Sequence, residues 1–303
     1  MRESSEGGPG RSLRLDVALT PAILTPMASG LGSTVMVVVD VIRATTTLAV
    51  MFEQGCRRVL VAPDITAARA ARSLSPNALL AGEVNGAAPA GFDLGNSPAE
   101  IATFSLADRE VIFATTNGTR ALRACANARA VYAGSLRNAH AVCAAALALA
   151  ETMADDGRPS AVRFRSSKVR TRAGESSEPE TGEQPVDILI VCAGRVDRPA
   201  IDDTLCAGYL CRELRSEAMN HGYAPLLGEG ARLAVAVLRD ALAAGSLLEA
   251  LATSDAARAI CSIGLAADLE WCAASDAGQA VPHVAGHDEQ GLLIVESQPP
   301  ASV

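Results

Sequence analysis

The sequence predicts an α/β protein in which helices cover a parallel or mixed sheet, an α/β/α layering. Three observations predict it. Val35-Met36-Val37-Val38-Val39 and Val186-Asp187-Ile188-Leu189-Ile190-Val191 are aliphatic runs of the kind found in strands covered on both faces. Such runs alternate along the chain with longer segments of helical character. Finally, 49% of the 303 residues are apolar and only 20% are charged, enough for a large core and against disorder across the whole chain.

Residues 13–19 alternate apolar and polar side chains, as a half-buried strand does. After the strand at 35–39, residues 45–54 read as a helix ended by Gly55, just past its C-terminus. A strand at 58–62 precedes Pro63-Asp64, which opens a helix to residue 74. A short strand at 78–81 leads into a Gly/Pro-rich loop over 82–98. The strand at 111–114 precedes Thr115-Thr116-Asn117-Gly118-Thr119-Arg120 and a helix to 126. A strand at 131–133 precedes an Ala/Leu helix over 138–153.

Between 155 and 184 the periodicity disappears. A basic block (Arg158, Arg163, Arg165, Lys168, Arg170, Arg172) is followed by an acidic one (Glu175, Glu178, Glu180, Glu183), the composition of a solvated insertion. Order resumes with the strand at 186–191, helices at 202–220, 231–244 and 254–264, and a strand at 292–296. Ser254 is the expected N-cap of the last helix and Gly264 its terminator. The expected organisation is a disordered N-terminus (1–11), an N-terminal α/β lobe (12–154), a disordered insertion (155–185) and a C-terminal α/β lobe (186–299), the lobes packed as one unit.

Composition excludes several functions. Lys and Arg number 26 against 34 Asp and Glu, a formal net charge of −8, whereas binding to nucleic acid needs clustered positive charge. The arginines of 163–172 suit an RNA-binding arm, but the adjoining acidic block cancels much of their field. Aromatics are 3%, too few for stacking platforms. The N-terminal residues lack the apolar core of a secretory signal, and the apolar stretch 141–150 is too short to span a bilayer. None of the eight cysteines forms a C-x-x-C pair, and most lie in apolar runs, as reduced buried thiols do. The expectation is a cytoplasmic protein without nucleic-acid or membrane partners, with a homo-oligomer left open.

In open α/β sheets, ligands bind beyond the carboxyl ends of the strands. There Asp40 ends a strand, Arg43 follows, and Thr45, Thr46 and Thr47 open a helix whose unpaired N–H groups suit a phosphate. Simple capping would explain one threonine, not three. Thr115, Thr116, Asn117, Gly118, Thr119 and Arg120 repeat the pattern, with Asn117-Gly118 as a tight turn whose N–H groups can converge on an anion. Alone, this is an ordinary turn; twice, it points to an anionic substrate held between two helix starts, with Arg43 and Arg120 facing a common hollow. Asp40, Glu83, Asp93, Asp202 and Asp203 lie on loops expected at the same sheet edge, oxygen donors that suit Mg²⁺. Each alone reads as a cap or a solvated charge. No P-loop, G-x-G-x-x-G or G-x-S-x-G pattern is present.

With Gly91-Phe92-Asp93-Leu94-Gly95-Asn96-Ser97-Pro98, Val191-Cys192-Ala193-Gly194, Asp202-Asp203…Cys206-Ala207-Gly208 and Asp268-Leu269…Cys272…Val281-Pro282, these motifs resemble the 2-phosphosulfolactate phosphatase family. The resemblance runs in order from Val35 to Pro282 and is broken by the insertion. It implies a family-specific α/β fold and a Mg²⁺-dependent phosphatase that converts 2-phospho-3-sulfolactate to sulfolactate and phosphate, a step toward coenzyme M in methanogens. On this reading Asp40, Arg43 and Asp203 are catalytic, and Asp40 with Glu83 or Asp93 holds the metal. Thr45 to Thr47, Asn96, Ser97 and the six residues from Thr115 to Arg120 bind substrate. Asp40 could also be a nucleophile, but the D-x-D pattern is absent because position 42 is Ile. Two departures stand out: Gly82-Glu83-Val84 replaces the family's Gly-Glu-Arg, and Asp202-Asp203 its Glu-Asp. Arg195 could restore some of the missing positive charge. The competing expectation is a non-catalytic sensor for a small phosphorylated or sulfonated acid.

Overall fold

The computed structural model describes residues 11–27, 31–155, 163–164, 184–185 and 187–298. The expected disordered N-terminus and insertion lie almost wholly outside the described residues. In chain order the elements are β1 (Ser12–Ala18), two 3-10 turns (Pro21–Met27 and Leu31–Ser33), β2 (Val35–Val39), α1 (Ala44–Glu53), β3 (Arg58–Val61), α2 (Ile65–Leu74), β4 (Leu79–Gly82), α3 (Pro98–Ile101), β5 (Glu110–Ala114), α4 (Gly118–Cys125), β6 (Ala130–Gly134) and α5 (Ala139–Asp155). There follow β7 (Arg163–Phe164), β8 (Gln184–Pro185), β9 (Ile188–Cys192), α6 (Ile201–Asn220), β10 (Ala224–Leu227), α7 (Glu229–Ala244), α8 (Leu247–Ala252), α9 (Asp255–Ser262), α10 (Asp268–Ala273), β11 (Val281–His287) and β12 (Leu293–Gln298). This is the mixed α/β architecture expected.

Sequence reading missed β10, β11, α3, α8 and α10. Both strands contain a proline, and β11 also a glycine, residues depleted in strands; the three helices are too short to show a period. Two expected caps are in place: Asp64 Oδ1 accepts the Ala67 amide at 2.8 Å at the start of α2, and Ser254 Oγ accepts that of Ala257 at 3.0 Å at the start of α9. Asp202-Asp203, expected to cap α6, instead lie inside its first turn, after Ala200 at the N-cap.

Ten strands form one sheet in the order β10-β1-β9-β2-β6-β11-β12-β3-β5-β4. The first five are mutually parallel, as are β3, β5 and β4. Between these blocks the β11–β12 hairpin pairs antiparallel with β6 on one side and β3 on the other. The two blocks therefore run in opposite directions along the sheet. Strands from before and after the insertion alternate within the first block, so the two expected lobes share one sheet.

Side chains on β2 alternate between two cores, as the period of a strand requires. Val35, Val37 and Val39 pack with α5, α6 and α7. Met36 and Val38 join α1 and α4 in a core that also holds Val59, Val61, Val111 and Phe113 of the other block. The sheet thus curls about its hairpin and wraps α1 and α4 between its two blocks. On the outer face of the second block, Leu60, Ile112 and Leu80 pack against Ala68 and Ala71 of α2. Each fully buried aliphatic side chain contributes about 1.5–3 kcal/mol. All eight cysteines are free thiols, and all but Cys261 are buried. Among the described residues, no helix is long and apolar enough to cross a membrane.

Candidate active site

The curl brings the carboxyl ends of β2 and β9 to those of β4 and β5. The expectation of a single sheet edge is thereby corrected: two edges of opposed blocks meet. Between them lies a cavity of about 520 Å³, lined among others by Asp40, Arg43, Glu83, Asn96, Thr116, Asn117, Gly194, Arg195, Asp202 and Asp203. The far wall is formed by α9 with Asp255 and Arg258, which pair with each other.

Asp40 leaves β2 and turns back onto the start of α1, where the Ala44 amide donates to its Oδ1 at 3.4 Å. Asp203, in the first turn of α6, accepts the amides of Val41 at 3.0 Å and Gly194 at 2.9 Å, joining the exits of β2 and β9. Glu83 joins the second pair of exits, accepting the amides of Thr116 at 2.7 Å and Gly86 at 2.8 Å. Asp40, Asp202 and Asp203 are all buried. Burial, then repulsion from Asp202 and Glu83, pushes the Asp40 carboxyl up to about 7. Burial pushes Asp202 up to about 6, and burial with the charges of Asp202 and Asp40 holds Asp203 well above the ordinary range.

Arg43 faces these acids from the residue before α1. Its Nη1 donates to Asp268 Oδ2 at 2.9 Å and its Nη2 to the Gly86 carbonyl at 2.6 Å, leaving N–H donors for an oxyanion. Asn96 is buried at the cavity wall, and its Oδ1 has no hydrogen-bond partner. A buried amide oxygen without a partner is costly in a closed protein and suits a ligand or bound water.

Several expected residues do not line this cavity. The threonines of α1 are turned into the fold: Thr45 Oγ1 donates to the Asp40 carbonyl at 3.0 Å, Thr46 Oγ1 donates to that of Val41 at 2.9 Å, and Thr47 Oγ1 is buried without a partner. The hydroxyls of Thr45 and Thr46 satisfy the backbone of the preceding turn, and none of the three threonines lines the cavity, which corrects their expected role as direct substrate ligands. Thr115 and Thr119 bond to each other's backbone in the same manner. Ser97 donates to Asp268 at 2.5 Å and caps α3. Gly118 meets Asp40 rather than the open cavity, since an added Cβ would lie 2.7 Å from Asp40 Oδ2. Arg120 pairs at the surface with Asp197 at 2.7 Å, so the expected hollow shared by Arg43 and Arg120 is not formed. Asp93 is turned away, its Oδ2 accepting the Leu80 amide at 2.8 Å.

The metal expectation changes accordingly. Among the described residues, no group of three or more His, Cys, Asp and Glu is arranged to hold a metal ion. Asp93 is elsewhere, while Glu83 lines the cavity with each oxygen accepting one backbone amide and keeping a lone pair. The cavity carboxylates that could join a cation are Asp40 and Asp202, whose charge burial opposes, together with Glu83. Mg²⁺ is commonly held by one or two carboxylates together with waters and substrate oxygens.

The family described as 2-phosphosulpholactate phosphatase matches residues 24–155 and 179–287. The chain belongs to this family. Membership makes it a phosphatase, a hydrolase of phosphate monoesters. A probable 2-phosphosulfolactate phosphatase of Thermus thermophilus is 36% identical over 265 residues, 86% of this chain and 91% of the relative. One from Deinococcus radiodurans is 33% identical over 256 residues, covering 84% of this chain and 89% of the relative. Against that background the sequence overlooked Asn85, Gly86, Asp255 and Arg258 as cavity residues. No local pattern marks them; Arg258 reads as one exposed charge on an amphipathic helix.

Proposed function

We propose that the cavity hydrolyses 2-phospho-3-sulfolactate to 3-sulfolactate and phosphate with Mg²⁺ as cofactor. The observation that carries this reading is a buried arginine, Arg43, set against the buried carboxylates Asp40, Asp202 and Asp203 in one cavity of a phosphatase-family chain. Arg43 binds the phosphoryl oxygens as a charge-assisted donor. Asp40 and Asp202 would hold Mg²⁺, which when bound neutralises charge on the phosphoryl oxygens. Burial disfavours the charged form of Asp203, which suits it to pass a proton to the departing alcohol oxygen as water adds to the phosphoryl group. Asp203 also fixes the backbone of Val41 and Gly194, so the reacting groups are preorganised. Arg195 and Arg258, at the outer part of the cavity, suit the second anionic group of such a substrate. Val84, half exposed and outside the cavity, leaves that task to them.

Phosphate release from 2-phosphosulfolactate and a panel of phosphorylated hydroxyacids, with Mg²⁺ and after chelation, tests the reading. Turnover of the sulfolactate ester that vanishes on chelation and returns with Mg²⁺ is expected. Equal turnover after chelation overturns the metal requirement. Turnover confined to another ester overturns the substrate, and ligand binding without any turnover favours the sensor.

A further inference from the structure

We propose that Asp268 is a positioning residue for Arg43, and that α10, more than two hundred residues away in sequence, sets the anion affinity of the cavity through it. The inference rests on the reading of Arg43 as the phosphoryl receptor. Arg43 and Asp268 form an ion pair whose side chains are 2% and 1% exposed. Asp268 is itself held from its other side: Oδ1 accepts Ser97 Oγ at 2.5 Å and the Ala99 amide at 3.3 Å. The chain of contacts Ser97–Asp268–Arg43–Gly86 thus fixes the plane of the guanidinium from two directions, because Nη2 is bonded to the Gly86 carbonyl as well. A guanidinium is a rigid fork, so fixing two of its donors fixes where the remaining ones point.

Through Arg137 the rest of α10 is tied to the end of the helix that Arg43 precedes. Trp271 stacks under Arg137 with the guanidinium carbon 4.7 Å from its ring centre, and Arg137 bonds Glu53 at the end of α1 at 2.7 Å. Arg137 thus links α10 to the end of α1, and with α3 and α8, which pack against α10, it holds Asp268 at the arginine. A buried ion pair adds little net stability over an apolar pair of the same volume. Its specific product here is the orientation of a cation beside three buried acids that would otherwise attract it.

The test measures phosphate release from 2-phosphosulfolactate and its inhibition by inorganic phosphate in the full chain, in Asp268→Asn, in Arg43→Ala and in the double variant. Asp268→Asn is expected to raise KM and the phosphate inhibition constant together by about tenfold or more, yet to add less than about twofold in the Arg43→Ala background. An equal cost in both backgrounds overturns the proposal, because Asp268 would then act independently of Arg43. Unaltered phosphate inhibition in Arg43→Ala overturns instead the reading of Arg43 as the receptor, a separate outcome. If circular dichroism shows that Asp268→Asn does not fold, Ser97→Ala carries the same cycle. Its expected effect is smaller, about threefold, and is likewise abolished by Arg43→Ala; the absence of such coupling overturns the proposal.

Discussion

Asp40 illustrates how a phosphatase site stores unfavourable electrostatics at single residues. The chain buries this carboxylate beside two others, and the folded state resists its ionisation until about pH 7. Because the folded values of Asp40 and Asp202 lie above the ordinary 3.8, the folded chain binds protons more tightly than the unfolded chain between that value and about 7. The contribution of these groups to stability is therefore greatest at low pH, falls as pH rises through this window and levels off above it. Melting curves of the metal-free chain are expected to show this fall, and Mg²⁺ to restore stability above the window more than below it. Asp40→Asn removes the charge, so it is expected to flatten the pH dependence and to leave the metal-free fold at least as stable near pH 8. The same substitution is expected to lower kcat at least about 100-fold, read by phosphate release. Near-normal turnover would remove Asp40 from the mechanism.

Helices α1 and α4 show the constraint at the next scale. Their N-termini approach each other so closely that a Cβ on Gly118 would lie 2.5 Å from that of Ala44 and 2.7 Å from Asp40 Oδ2. Gly118→Ala is expected to destabilise the fold by about 1–3 kcal/mol, as overpacking does, and to cut activity by displacing Asp40. Denaturant unfolding and phosphate release check it; wild-type values in both would show that the contact yields freely. Here lies the main difference between residues read in line and residues in space. The strand–turn–helix pattern after Val39 and Ala114 was legible, and so were the caps of α2 and α9. The direction of the threonine hydroxyls was not. Thr45 and Thr46 bond back to carbonyls five residues earlier, and only the turn geometry of residues 40–43 puts those carbonyls within reach.

Across the whole molecule, one hairpin decides whether a cavity exists. β11 and β12 supply the ladder that joins β6 to β3. Leu293, fully buried at the start of β12, pairs with Val61. Leu293→Asp places an unpaired charge in that seam and is expected to cost several kcal/mol, about the margin of a typical domain. Activity and the cooperative melt are expected to disappear together; a persistent cooperative melt at the original temperature would show that the seam does not hold the two blocks.

The sequence by itself determined the α/β class, most strands and longer helices, the phosphatase family and the acid and arginine of the first strand exit. These are local matters: hydrophobic period, cap chemistry and contiguous motifs are all read within a few residues. Only the tertiary structure decided that Arg120 and Asp93 face elsewhere, that Asp255 and Arg258 line the cavity, and that Asp268 grips Arg43. Those facts depend on a sheet that reverses direction through a terminal hairpin and curls around two helices. Pairing at the site includes contacts across 162 positions, from Asp203 to Val41, and 225, from Asp268 to Arg43, and no short stretch of sequence carries them.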